Sequence, residues 1–227
     1  MHVRPISITA PLAGAIPGLD DDSPEALIVY CARVSSPSNQ ENHGTGERLL
    51  RYCIQHGHWS VFELVDWTVE LETSRAIAAQ ILRHRSFSFQ EFSQRYSPVT
   101  ALRQVIQPVE MRPRNPGGNR QGSDEVEFLR HPNVVSTLVT NHMAYCAELY
   151  DRLLEEGVAP ECARMVMPLA TTTRLYMKGS VRSWIHYLQV RSSRHAQKEH
   201  RELTEEIGRH FAHHFPIIHA AAFHPHA

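Results

Sequence analysis

The chain has 227 residues, ample for one large domain with a real core, and its 42% apolar and 21% charged content is ordinary for a globular protein. A formal net charge of −1 excludes a global field that would recruit nucleic acid or an anionic membrane. The first residues, MHVRPISITAPLAG, hold no long apolar run, and no stretch approaches ~18 apolar residues, so neither a signal peptide nor a membrane span is expected.

In chain order, residues 3–10, VRPISITA, predict a short strand, and residues 11–24 are rich in turn formers. Ser23-Pro24-Glu25 opens a helix to about Arg33, with a capping serine and a proline in the first turn. Residues 42–46 read as a polar loop. Leu49, Leu50, Cys53 and Ile54 then recur at helical spacing up to a stop at Gly57. Val65, Trp67, Val69 and Leu71 alternate with Asp66, Thr68 and Glu70, which predicts a half-buried strand. Thr73 or Ser74 caps the next helix, through Arg83, with Ile77, Ala78, Ile81 and Leu82 as its buried stripe. Residues 111–123, MRPRNPGGNRQGS, hold two prolines and three glycines, so 112–123 is expected as a surface loop. Beyond it come helices over Pro132–Glu155 and Pro160–Met167, a strand over Thr171–Tyr176, helices over Ser180–Leu188 and His195–Phe215, and a histidine-rich tail, 216–227. Without regular βαβ alternation or a repeat, this order predicts one α+β domain over 1–227, with a mixed or antiparallel sheet and several long helices.

Chemistry-bearing residues concentrate in RHRSFSFQEFSQRY, residues 83–96. Arginine forks with serine hydroxyls and turn amides suit phosphate esters, and Phe87, Phe89, Phe92 and Tyr96 suit the wall of a flat ring. An arginine-rich helix edge on core phenylalanines explains the composition equally well. Arg182 and His186 share a helix face, with Trp184, Tyr187, Leu188 and Val190 on the apolar side. Arg164 sits among apolar neighbours and needs a partner. His56-Gly57-His58 reads as a helix terminus rather than a zinc site. His210, His213 and His214 share a face, but there is no HExxH, and no catalytic metal is expected. Cys31, Cys53, Cys146 and Cys162 form no CxxC and are expected as buried thiols of a reducing cytoplasm. Of the 23 cationic side chains only Lys178 and Lys198 are lysines.

Arg83-His84-Arg85-x-x-Ser88-x-x-x-x-Ser93-x-Arg95 matches in full the RHRxxSxxxxSxR signature of the flavin-dependent thymidylate synthases. His56-Gly57-His58-x-Ser60-x-Phe62-Glu63, Ala32-Arg33-Val34-Ser35, Arg164-Met165-Val166-Met167-Pro168 and Arg191-x-x-x-His195-Ala196-Gln197-x-Glu199 resemble further elements of that family, in order. The resemblance implies an α+β enzyme that methylates deoxyuridine monophosphate (dUMP) at C5. Methylenetetrahydrofolate would supply the carbon, FAD would relay it and NADPH would reduce the flavin, in a cytoplasmic homotetramer whose sites are shared between chains. It places dUMP at Gln80, Ile81, Leu82, Arg83, Glu91, Phe92, Ser93, Gln94, Arg95, Arg164 and Arg191. The phosphate would lie at Ser93 to Arg95 and Arg164, and Arg191 would be the catalytic residue that favours ionisation at uracil N3. It places FAD at Ser60, Arg83, His84, Arg85, Glu91, Ser180, Val181, Arg182, His186 and His195. Ser60, Val61 and Ser180 depart from the family's usual threonine, proline and asparagine. Two rival readings remain, an arginine and aromatic RNA-binding module and a metal-dependent hydrolase.

Overall fold

The computed structural model describes residues 1–18, 23–115, 122–123 and 129–224. Residues 116–121 of the expected surface loop and 225–227 of the tail lie outside them. The fold is α+β, built on an antiparallel sheet of strands β1 (His2–Ile8), β2 (Asp66–Ser74), β3 (Ser88–Glu91) and β4 (Thr172–Ser180), in the order β1-β2-β4-β3. Around it lie helices α1 (Pro24–Ala32), α2 (Gly46–Gln55), α3 (Arg75–Ile81), α4 (Pro132–Glu155), α5 (Pro160–Ala163), α6 (Val181–Arg191), α7 (Lys198–His214) and α8 (Pro216–Phe223).

Alternation on β2 puts Trp67, Val69 and Leu71 on the core face, joined by Leu175 and Met177 of β4. Helices α6 and α7 close over them. The Trp67 ring centroid lies 4.9 Å from Trp184 and 5.8 Å from Phe211, and Trp184 Nε1 donates to the Trp67 carbonyl at 3.0 Å. Burying each such ring contributes about 1.5–3 kcal/mol. The other face of β2 is not solvated as alternation alone predicts, since Glu70 and Glu72 are buried too. Register explains this: Arg4 of β1 lies opposite Glu70 and bonds both its oxygens, at 3.1 and 3.0 Å. Arg174 of β4 lies opposite Glu72, at 3.0 Å.

Local signals set the helix ends. Ser23, Ser74 and Ser180 accept from the backbone N–H three residues on, capping α1, α3 and α6. Gly57, at φ +69°, follows the end of α2. The two ends of α4 are those expected from Pro132 and Gly157.

Several expectations change. Helix α3 stops at Ile81, two residues early, because the chain turns into β3, and this leaves Leu82 exposed rather than in the stripe. Val190, expected on the apolar side of α6, is exposed. Helix α7 starts at Lys198, not His195, because 192–197 form turns. The expected tail is helical to Phe223: Ile218 is buried and its N–H donates to the buried Glu25 carboxylate at 2.8 Å. Cys162 is exposed and Cys31 half-buried, so the thiols are not uniformly internal.

Candidate active site

The 83–96 segment is a turn leading into edge strand β3, not a helix edge. Phe87 is its anchor, with its centroid 4.9 Å from Trp184 and 5.8 Å from Tyr187. On β4 a Cβ at Gly179 would lie 2.5 Å from Phe87 Cδ1, so only glycine lets the ring seat there. With Phe87 inside, Arg83, Arg85, Ser93 and Arg95 stay exposed. Phe87 holds the segment while Tyr96 is 90% exposed, and the cations lie at the surface within reach of a ligand.

His84 turns back under the segment. Arg191, at the last turn of α6, donates Nε–H to His84 Nε2 at 2.9 Å and reaches the Gln80 carbonyl at 3.5 Å. Burial first, then the Arg191 charge, lowers the His84 pKa to about 4. The ring is therefore neutral near pH 7 and can accept this bond.

Arg95 and Arg164 meet at Glu161. Arg95 Nε lies 3.1 Å from its Oε2, and Arg164 Nε donates to its backbone carbonyl at 3.4 Å. The partner expected for Arg164 is thus a carbonyl, on a half-buried side chain. Gln94 beside them is buried and its Nε2 has no hydrogen-bond partner, an orphan donor of the kind a ligand completes. Glu91 is engaged by Arg75 at 3.2 Å and by the Thr173 hydroxyl at 2.8 Å. Phe92 is half-buried, and Ile81 is fully inside and reaches a ligand only through its backbone.

Four of the flavin-side positions line two separate clefts, Ser180, Arg182 and His186 in one and His195 in the other. One, of about 670 Å³, is lined by Trp59, Ser86, Ser88, Lys178, Ser180, Arg182 and His186, among others. Arg182 pairs there with Glu63. Ser60 is exposed next to Trp59, and Val181 is buried. The Ser180 hydroxyl is taken by the α6 cap, accepting from Ser183 N–H at 3.4 Å and lying 3.2 Å from Ser183 Oγ. His195 lines the other cleft, of about 450 Å³, with Arg112, Arg114, Arg194 and Arg201. Within one chain these positions share no single cavity.

Sequence reasoning passed over Glu161, Tyr187 and His200. His200 has no exposed surface and lies 2.9 Å from the Tyr187 hydroxyl. It does carry a signal, because it falls on the buried stripe of α7 with Leu203, Thr204, Ile207 and Phe211, where a titratable ring needs partners. Among the described residues, no group of three or more His, Cys, Asp or Glu side chains could hold a metal ion. No helix there is long and apolar enough to cross a membrane.

Residues 19–217 match the family described as thymidylate synthase complementing protein. A flavin-dependent thymidylate synthase of Synechocystis sp. is 51% identical over 234 residues, covering 97% of this chain and 99% of that one. The chain belongs to the flavin-dependent thymidylate synthase family. A probable flavin-dependent thymidylate synthase of Paramecium bursaria Chlorella virus 1 is 44% identical, covering 96% of this chain and 97% of its own. A flavin-dependent thymidylate synthase of Mycobacterium tuberculosis is 30% identical, covering 88% and 80%. The crystal structure of a UMP/dUMP methylase, PolB, from Streptomyces cacaoi bound with 5-Br dUMP superposes with a TM-score of 0.76 at 27% identity, over 97% of this chain and 93% of that one. Membership accounts for the signature and for a flavin requirement.

Proposed function

We propose that the chain converts dUMP to thymidylate by reductive methylation at C5. FAD is the flavin, methylenetetrahydrofolate the carbon donor, NADPH the reductant and a homotetramer the working assembly. The observation that carries this reading is the contact of signature residue His84 with Arg191, 107 residues away. It joins the two motifs that the family resemblance assigns to flavin and pyrimidine. The dUMP analogue named with the Streptomyces cacaoi methylase supports the substrate.

Uracil C5 is a weak nucleophile, and negative charge in the ring strengthens it. Arg191 is placed to stabilise that charge: neutral His84 takes its Nε–H and leaves other guanidinium hydrogens for N3 and its neighbouring carbonyl. Arg95, Arg164 and the unpaired Gln94 amide converge as phosphate donors, with Ser93 as a further hydroxyl. Binding there requires the phosphate to outcompete Glu161 for Arg95. Trp59, the Ser86 and Ser88 hydroxyls and Arg182 give the larger cleft an aromatic wall and donors that fit a flat ring bearing phosphates. Bound flavin would supply the hydride and carry the one-carbon unit. Overall the C5 hydrogen is replaced by a methyl group made of a folate methylene and that hydride. Sharing each site between chains accounts for flavin-side residues that lie in separate clefts of one chain.

The test is an oxygen-free absorption spectrum of the purified protein, with thymidylate assayed after adding methylenetetrahydrofolate. The expected result is a two-banded flavin spectrum that NADPH bleaches and dUMP perturbs, with thymidylate formed. Arg191→Ala should cut turnover by about a hundredfold or more. A colourless protein that takes up no FAD, or one that binds both ligands and makes no thymidylate, overturns the reading.

A further inference from the structure

A line of side chains runs from the buried centre of α6 and α7 to the surface through Tyr187, His200, Gln80, Gln197 and Glu199, and its hydrogen bonds have only one workable direction. Glu199 fixes the outer end. Burial pushes its carboxyl up, but its own backbone N–H, Arg112 and Gln197 outweigh this and hold it below the usual range, so it is ionised. Arg112 Nη2 donates to its Oε1 at 2.7 Å, and Gln197 Nε2 lies 2.9 Å from its Oε2. A carboxylate only accepts. Gln197 must therefore give its amide N–H to Glu199, which turns its Oε1 to Gln80. Gln80 must then donate from Nε2, at 2.7 Å, which turns its own Oε1 to His200 Nδ1 at 3.2 Å. That oxygen only accepts, so Nδ1 carries the hydrogen. Burial, and after it the Arg191 charge, holds the His200 pKa down to about 3, so the ring is neutral and Nε2 is an acceptor. Tyr187, whose phenol burial pushes far above its ordinary range, donates to it at 2.9 Å.

The direction decides what Gln80 offers a ligand. With Oε1 held inward, the amide nitrogen faces outward, and one of its two hydrogens is left after Gln197 is served. A flipped amide would present an oxygen instead, and pyrimidine carbonyls are themselves acceptors. Gln197 is exposed, so solvent competes for its bonds to Gln80 and Glu199. His200 has no exposed surface, and its ring is held between the Tyr187 hydroxyl and Gln80, out of reach of solvent.

We propose that His200 is a positioning residue for the nucleotide: its Nδ1–H fixes the Gln80 side-chain amide with the N–H outward, toward a uracil carbonyl. This rests on the placement of Gln80 at the nucleotide in the proposed function. Asparagine and glutamine separate the two ends of the imidazole. His200→Asn sets an amide N–H near the place of Nδ1–H and keeps the Gln80 bond. His200→Gln sets its amide near Nε2, serving Tyr187 and not Gln80. His200→Leu serves neither.

The experiment is a dUMP titration of the FAD-loaded enzyme, followed by the flavin spectrum, with the melting temperature of each variant measured alongside. Expected is about a tenfold weaker dUMP affinity for His200→Gln and His200→Leu, the value of one lost hydrogen bond. His200→Asn should stay within about threefold of the parent, even if it melts lower than His200→Gln. Equal affinity in all three variants, or losses that follow melting temperature rather than the Asn and Gln distinction, overturns the proposal. A parent enzyme whose flavin spectrum ignores dUMP overturns the substrate reading instead, and the two failures are thereby distinguished. Should His200→Leu not fold, the Asn and Gln pair decides.

Discussion

His84 and His200 occupy environments that forbid charge, His84 because it is half-buried beside Arg191 and His200 because it has no exposed surface. Their values of about 4 and about 3 lie below the ordinary 6.5. Below pH 6.5 the unfolded chain takes up protons that the folded chain refuses, so the free energy of unfolding falls as pH drops, and the loss ends only at the folded values. At pH 5 each imidazole kept neutral costs about 2 kcal/mol relative to neutral pH. Urea unfolding at pH 7 and pH 5 should therefore show a drop, which the buried Glu25 carboxyl, raised to about 7 by burial, partly offsets because it takes up its proton in the folded chain over this range; a His200→Asn variant that loses as much stability as the parent would count against a neutral buried imidazole. Little of this was visible in the sequence. The partners of His200 lie 13 and 120 positions away, and only the helical stripe of α7 hinted that the ring was internal.

At the level of elements, much of the fold was readable where the signal is local. Ser23 before Pro24, Ser74 before Ile77 and Gly57 after α2 act through their own backbone neighbours, and those ends fall where expected. Signals that needed the sheet register were not readable. Glu70 and Glu72 look like solvent positions until Arg4 and Arg174 are set opposite them. Leu82 looks like core until β3 pulls the chain away from α3. The seat of the signature on β4 is of this second kind, since nothing local explains why Gly179 is a glycine. Gly179→Ala should force Phe87 to move and lower stability by about 1–3 kcal/mol. The double variant with Phe87→Leu should lose less than the sum of the two single losses, because the smaller side chain relieves the clash. Strict additivity in denaturant unfolding would mean that the two residues do not press on each other.

As a whole molecule the chain leaves apolar surface uncovered. Helix α4 buries Cys146 and Tyr150 near its C-terminal end, yet Val134, Leu138 and Tyr145 are about 60% exposed (59%, 65% and 60%). Met165 and Leu169, in the segment after α5, are exposed at 79% and 72%. Such patches mark association surfaces, which agrees with the proposed homotetramer. Leu138→Asp should lower the mass measured by light scattering on a sizing column while the isolated chain stays folded by circular dichroism, and an unchanged mass would place the contact elsewhere. Lysine is scarce, with Lys178 and Lys198 the two in the sequence. Lys178 lines the larger cleft, paired to Asp66 at 2.6 Å, and Lys198 lines the cleft that holds His195, paired to Glu110 at 2.7 Å. Amine-directed acylating labels and bifunctional cross-linkers, which on most proteins scatter over the surface, would find their side-chain targets here inside the two clefts, and would serve as affinity probes of those clefts.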